Sequence, residues 1–263
     1  MSGPMVQRAK PVSSSLGLSG ALLLSALASG GCASTAPNSS AASAASKPGE
    51  SAQTATTGDS FSHGGASLFV VHLMSDFDGF RKYFEAGASA RALAGVKGHL
   101  LTRLDDGRVV VHLFADDAEK VQEALKSPEM ERYLDRKGTP ESSLVWLTEN
   151  ELVKLPETPP AGDTFSLFLK LRVTDFAVLE QGFKESAPLY AEHEVIGEGL
   201  HRSTSKEDIA ILHFVGTSRA KLETLAKSRE FAELLARAGS QEEPKPLLGV
   251  DVSRSRPSSS DRP

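Results

Sequence analysis

The chain contains an approximate copy of itself. SLFVVHLMSDFDGFRKYF from Ser67 lines up with SLFLKLRVTDFAVLEQGF from Ser166. Asp76 meets Asp175, Phe77 meets Phe176, Phe80 meets Leu179 and Phe84 meets Phe183, all 99 residues apart. The same spacing carries Gly98 onto Gly197, Leu101 onto Leu200 and Arg103 onto Arg202. One inserted residue after Arg202 brings Phe114 onto Phe214, and a second slip brings KSPEMERYLDRKG (126–138) onto KSREFAELLARAG (227–239). Slips confined to turns and element ends mark a duplicated structural unit, so the fold must be one that two covalently joined copies can complete. The Pro-rich stretch PETPPAGD, 156–163, joins the copies.

Each copy reads β-α-β-β-α-β. In the first, LFVVHLM is a strand of β-favouring residues. Ser75 and Asp76 start a helix whose Phe77, Phe80, Phe84 and Ala88 share one face, and Gly95 closes it. GHLLTRL turns through Asp105-Asp106-Gly107 into RVVVHLF, a hairpin. Asp116 or Asp117 caps a second helix carrying Val121, Ala124 and Leu125, which Ser127-Pro128-Glu129 restarts. SLVWL, 143–147, supplies the fourth strand. This is the split βαβ, ferredoxin-like unit, in which helices cover one face of the sheet and leave the other bare. In the second copy's first strand Leu167, Leu169, Leu171 and Val173 form one side, and Phe168, Lys170 and Arg172 the other. The corresponding second side in the first copy is Phe69, Val71 and Leu73, all apolar. A bare apolar face needs a partner. The expected fold is α+β: tandem ferredoxin-like repeats over 65–155 and 164–253, forming an intramolecular pseudo-dimeric α+β barrel with helices outside.

Sequence outside the repeats suggests an address. Residues 1–31 combine a basic start (Arg8, Lys10), an apolar run from Leu16 to Ala28, and small residues before Cys32, the single cysteine of the 263-residue chain. The run is too short to span a bilayer. The segment resembles a bacterial lipoprotein signal, which implies that Cys32 is acylated and leads the mature chain. Ser29 stands where that signal usually has Leu, so ordinary cleavage after Ala28, giving a secreted protein, is the competing expectation. Residues 32–64 are Ala-, Ser-, Thr-, Gly- and Pro-rich and read as a disordered tether; 254–263 reads as a disordered tail. The expected location is the bacterial cell envelope, with contact to membrane through the lipid alone. A net charge of −5 without a Lys/Arg stripe argues against nucleic acid, and one cysteine rules out an internal disulfide or a cysteine metal cluster.

The segments MSDF (74–77), VTDF (173–176), AGVKGHLLTR (94–103) and SPEMERYLDRKG (127–138) resemble the antibiotic-biosynthesis-monooxygenase-like members of the dimeric α+β barrel superfamily. The resemblance covers both repeats. It implies a barrel formed within one chain where relatives form homodimers. Its known activities span cofactor-independent oxygenation and haem handling, and none of its catalytic residues transfers here by motif.

Candidate chemistry rests on histidines and cations. His72, His99, His112, His201 and His213 fall on strands, and His193 near a helix end. Such residues could act as a base near neutral pH, orient a phenolic ligand or bind haem iron. Aligned by sequence, His72 faces Leu171, His112 faces Leu212 and His213 faces Leu113. Exchange of His for Leu between copies points to core or rim positions, so His72, His99, His112 and His213 stand only as candidates. Lys170 and Arg172 could make one side of a cavity positive for an anionic ligand, or snorkel to the rim. Arg103 and Arg202, present in both copies, are expected to pair with acids near the hairpins, and Trp146 to be core. No HExxH, phosphate loop, dinucleotide fingerprint or G-x-S-x-G elbow occurs in the sequence, and no metal or other cofactor is expected, haem being an alternative. The expected function is binding of a small, anionic or aromatic molecule without catalysis. The alternatives are a cofactor-independent monooxygenase using strand histidines, and a haem-binding protein.

Overall fold

In the computed structural model the described residues are 64–126, 144–156 and 160–255. The signal, Cys32 and most of the tether lie outside them, as does the first copy of the repeated helical stretch beyond Lys126.

The first repeat contributes β1 (Ala66–Leu73), α1 (Phe77–Ala86), α2 (Ala88–Leu93), β2 (Val96–Leu104), β3 (Arg108–Ala115), α3 (Ala118–Leu125) and β4 (Leu144–Lys154). The second contributes β5 (Phe165–Arg172), α4 (Phe176–Glu185), α5 (Ala187–Glu192), β6 (Val195–Ser203), β7 (Ile209–Gly216), α6 (Arg219–Lys227), α7 (Arg229–Arg237) and β8 (Leu247–Ser255). β8 thus continues into residues expected to belong to the tail.

Local chemistry sets these boundaries. Asp76 and Asp175 accept from the backbone N–H groups of Gly79 and Val178, capping α1 and α4 alike. Asp117 caps α3 through Glu119 N at 2.8 Å, and Ser228 accepts from Phe231 N at 3.3 Å to open α7, the second copy of the repeated stretch. The long first helix expected from the sequence breaks at Gly87, and α2 ends before Gly95 at φ 81°. Glu194 takes the equivalent left-handed position in the second repeat at φ 56°, without the conformational freedom of glycine.

The strands close a barrel in the order β1-β3-β2-β8-β5-β7-β6-β4. All neighbouring strands pair antiparallel, and the repeats meet at two seams, β2 with β8 and β4 with β6. The register shifts once at each seam, between Leu101 and Thr102 and between Asn150 and Leu152. The joined sheet therefore has no free edge. Alternation along the strands divides the core into three parts. Leu68, Val70, Leu101, Val111 and Leu113 pack under the first repeat's helices with Phe80 and Phe84. Leu167, Leu169, Leu212 and Phe214 pack under the second repeat's helices with Leu179, Phe183, Leu222 and Leu234. Phe69, Val71, Leu104, Val110, Phe168 and Ile211 fill the barrel, so the two bare faces do cover each other.

One sequence alignment is corrected by the register. Phe69 of β1 pairs with His112, and Phe168 of β5 pairs with His213. His112 and His213 are therefore equivalent positions, and His112 does not correspond to Leu212. The turn from Leu104 to Arg108 is matched by a longer one from Ser203 to Ile209, so β3 and β7 are offset by one residue more than the Phe114–Phe214 match suggests. A slip of one residue in a strand turns every side chain to the opposite face.

Candidate functional site

The corrected register brings histidines of both repeats together on the barrel axis. His112 and His213 have ring centroids 5.1 Å apart, and His201 of β6 lies 5.5 Å from His112. His112 stacks on Phe69 at 4.0 Å and His213 on Phe168 at 4.5 Å. These phenylalanines are themselves equivalent and meet edge to face at 6.1 Å. Ser67 and Ser166, also equivalent, take the Nε2 atoms of His112 and His213 at 2.9 and 3.3 Å.

Protons in this cluster can be followed from atom to atom. The Ser67 hydroxyl donates to Asn150 Oδ1 at 2.8 Å, so toward His112 it can only accept, and His112 Nε2–H is the donor. Asn150 Oδ1 accepts a second bond, from His201 Nδ1–H at 2.8 Å. Each neutral imidazole has spent its one proton, which leaves His112 Nδ1 and His201 Nε2 as lone pairs; neither has a partner among the described residues. A buried polar atom left unpaired costs about 1–3 kcal/mol. Burial holds His201 down at about 3, and burial together with the neighbouring His213 and His201 holds His112 well below the usual imidazole range. The rings are therefore neutral at physiological pH.

The approximate two-fold is broken at this level. Asn150 and Asp251 are equivalent, since Asn150 N donates to Gly65 O and Asp251 N to Thr164 O. His201 has Thr102 as its counterpart. Asp251 accepts from Thr102 Oγ1 and Thr164 Oγ1, each at 2.8 Å, and from Arg254 at 3.2 Å. One pole of the barrel thus carries neutral amide and imidazoles, and the other an ion pair closed by threonines.

The centre is filled. His112 and His201 have 0% exposure, His213 1%, Phe69 0% and Phe168 2%. Beyond Phe114 and Val215 is a recess of about 10 Å³ that also meets Leu100, Leu155, Pro156 and Arg254, room for about one water. A shallower groove of about 210 Å³ runs over Pro160, Gly162, Thr164, Ser253 and Arg254.

Other candidates fall elsewhere. His72 is buried in β1 on the helix-covered phase, with Leu68 and Val70. His99, also on the helix side, lies edge-on to Phe84 and joins Ser253 and Ser255 at 3.1 and 2.7 Å; burial, then Arg91, lowers it to about 4. His193 ends α5 with Nδ1 2.9 Å from Leu189 O. Lys170 reaches the solvent-exposed rim, with Nζ 5.7 Å from the Trp146 ring, and Arg172 pairs with Asp208 at 2.6 Å. Arg103 and Arg202 cover equivalent rings, Phe77 at 5.3 Å and Phe176 at 3.6 Å, and Arg202 also pairs with Glu151 at 2.9 Å. Both lie outside the barrel. Asn150 and the two serines went unremarked in the sequence. Ser67 and Ser166 do carry a signal there: a hydroxyl conserved between copies on the phase of Phe69 and Phe168.

No group of three or more His, Cys, Asp or Glu side chains among the described residues is placed to hold a metal ion. His112, His201 and His213 present no face open to a porphyrin, and both ring nitrogens of His99 are hydrogen-bonded. Among the described residues no helix is long and apolar enough to cross a membrane.

Comparison with solved structures bears on the fold. A provisionally assigned monooxygenase from Fusobacterium nucleatum matches with a TM-score of 0.53 at 11% identity, over 73% of this chain and 95% of its own. An anthrone oxidase-like protein matches with 0.53 at 12% identity, over 73% and 93%. What is shared is the α+β barrel of ferredoxin-like units. No protein-family profile and no curated protein matches the chain.

Proposed function

We propose that this is an envelope lipoprotein whose barrel binds a small aromatic molecule bearing a weakly acidic hydroxyl, without turning it over. The observation that carries this reading is the pair of bare acceptor nitrogens, His201 Nε2 and His112 Nδ1, buried among phenylalanine rings. A core selected only for packing gains nothing from unpaired imidazoles, whereas a phenol supplies both the missing donor and a ring to replace the Phe contacts. Entry requires Phe69 and Phe168 to part. An anionic ligand is less well served, because Lys170 lies at the rim and Arg172 is already paired.

The test compares 1-naphthol with 1-methoxynaphthalene by calorimetry. Naphthol is expected to bind one per chain, with the ether and the His201→Leu protein each at least tenfold weaker. Equal binding of both compounds, or of neither, rejects the reading and leaves the histidines as a sealed polar core. The monooxygenase alternative would use strand histidines as its base, and oxygen uptake during the titration separates turnover from binding. Anchoring rests on Cys32 and the residues before it. Mass spectrometry of the native N-terminus is expected to find diacylglycerol on Cys32, and an unmodified start at Ser29 rules the anchor out.

A further inference from the structure

We infer that Asn150 is a positioning residue that dictates which nitrogen carries the proton on two histidines of different repeats, His112 and His201. One carboxamide oxygen receives both the Ser67 hydroxyl and His201 Nδ1–H, each at 2.8 Å. The first bond obliges Ser67 to accept from His112 Nε2, and the second fixes His201 as the Nδ1–H tautomer. In a neutral histidine the nitrogen left bare is decided by the bond the other one makes. Asn150 therefore exposes Nδ1 on one ring and Nε2 on the other.

Its counterpart does different work. Asp251 spends its oxygens on two threonines and Arg254, and among the described residues it bonds no histidine. The duplication has divided two equivalent positions, one setting proton positions and the other clasping the β2–β8 seam. The consequence for ligand choice rests on the binding reading above: two bare acceptors select a donor and repel an anion. The proton assignment itself does not depend on that reading.

Long-range ¹H–¹⁵N correlation of the histidine rings at pH 7.5 tests it on the whole chain. The expected result is His201 protonated on Nδ1 and His112 on Nε2. Asn150→Leu is expected to move the His201 proton to Nε2. Asn150→Asp, which still accepts both bonds, should keep it on Nδ1, and Asp251→Asn should leave both rings as they are. His201 protonated on Nε2 in the wild type, or tautomers indifferent to Asn150→Leu, overturns the assignment. If Asn150→Leu does not fold, the wild-type and Asn150→Asp spectra decide, and Nε2–H on His201 in either one refutes it. Failure of naphthol to bind with the tautomers as stated removes the ligand reading alone; naphthol binding with the wild-type tautomers as stated but indifferent to Asn150→Leu removes only the role of Asn150.

Discussion

Neutral buried histidines make the stability of this protein depend on pH in a definite direction. His201 is held at about 3 and His112 well below its ordinary value, both chiefly by burial. Above the ordinary imidazole range near 6.5, folded and unfolded chains are both neutral at these sites. As pH falls below it, the unfolded chain takes up protons that the folded chain refuses, so stability declines progressively toward pH 3. Each tenfold difference in proton affinity is worth about 1.4 kcal/mol. Glu198 works the other way: burial raises it to about 7, so its contribution is fullest at low pH and is lost as pH rises through about 7. Urea unfolding at pH 7.5 and 5.0 separates the two. His201→Leu is expected to lose less stability than wild type between those pH values, and Glu198→Gln to lose more. Identical pH dependence in His201→Leu and wild type would mean that the ring is solvated and titrates normally.

At the level of elements, the strands that line the barrel are tuned to one another across the duplication. A Cβ on Gly199 would lie 2.6 Å from His201 Nε2, so glycine is what allows β6 to carry an imidazole two residues further on. β2 has Leu100 and Thr102 at these places, a large residue beside a small one. Gly199→Ala is expected to lower stability by about 1–3 kcal/mol through overpacking, and to cost much less when His201→Thr is already present. Thermal unfolding of the two single variants and the double variant measures that coupling, and simple additivity would show that Gly199 does not serve His201. Much of the element pattern was legible beforehand. The βαββαβ order, the Asp76 and Asp175 caps, the hairpin at Gly107 and the apolar second face of β1 all follow from spacing and residue type. What escaped was register. Phe114 and Phe214 look alike and both follow apolar runs, so aligning them seems natural, yet they point to opposite faces of the sheet. The extra turn residues before Ile209 set the true pairing, and turn length is decided by how the hairpin closes, which local propensity does not encode. The Asn150 bonds were invisible for a related reason: they reach Ser67 across the β1–β4 pairing and His201 across the β4–β6 seam, contacts between residues far apart in the chain that exist only once the sheet has assembled.

For the molecule as a whole, duplication solves a burial problem and creates an opportunity. Each unit alone would leave Phe69, Val71 and Val110, or Phe168 and Ile211, facing water. Fusing the units covers both faces and closes the sheet. Fusion also frees equivalent positions to diverge, which a homodimer cannot do. Asn150 and Asp251, Thr102 and His201, and Val71 and Lys170 are products of that freedom. His112 and His213 have stayed the same and meet where the halves touch. The most direct measurement of this account is a ¹³C-edited NOE experiment on the histidine ring protons of the full chain. With centroids 5.1 Å apart, His112 and His213 are expected to show a mutual ring NOE that vanishes in His213→Leu. Its absence from the wild type would contradict the closed barrel and the register on which the site depends.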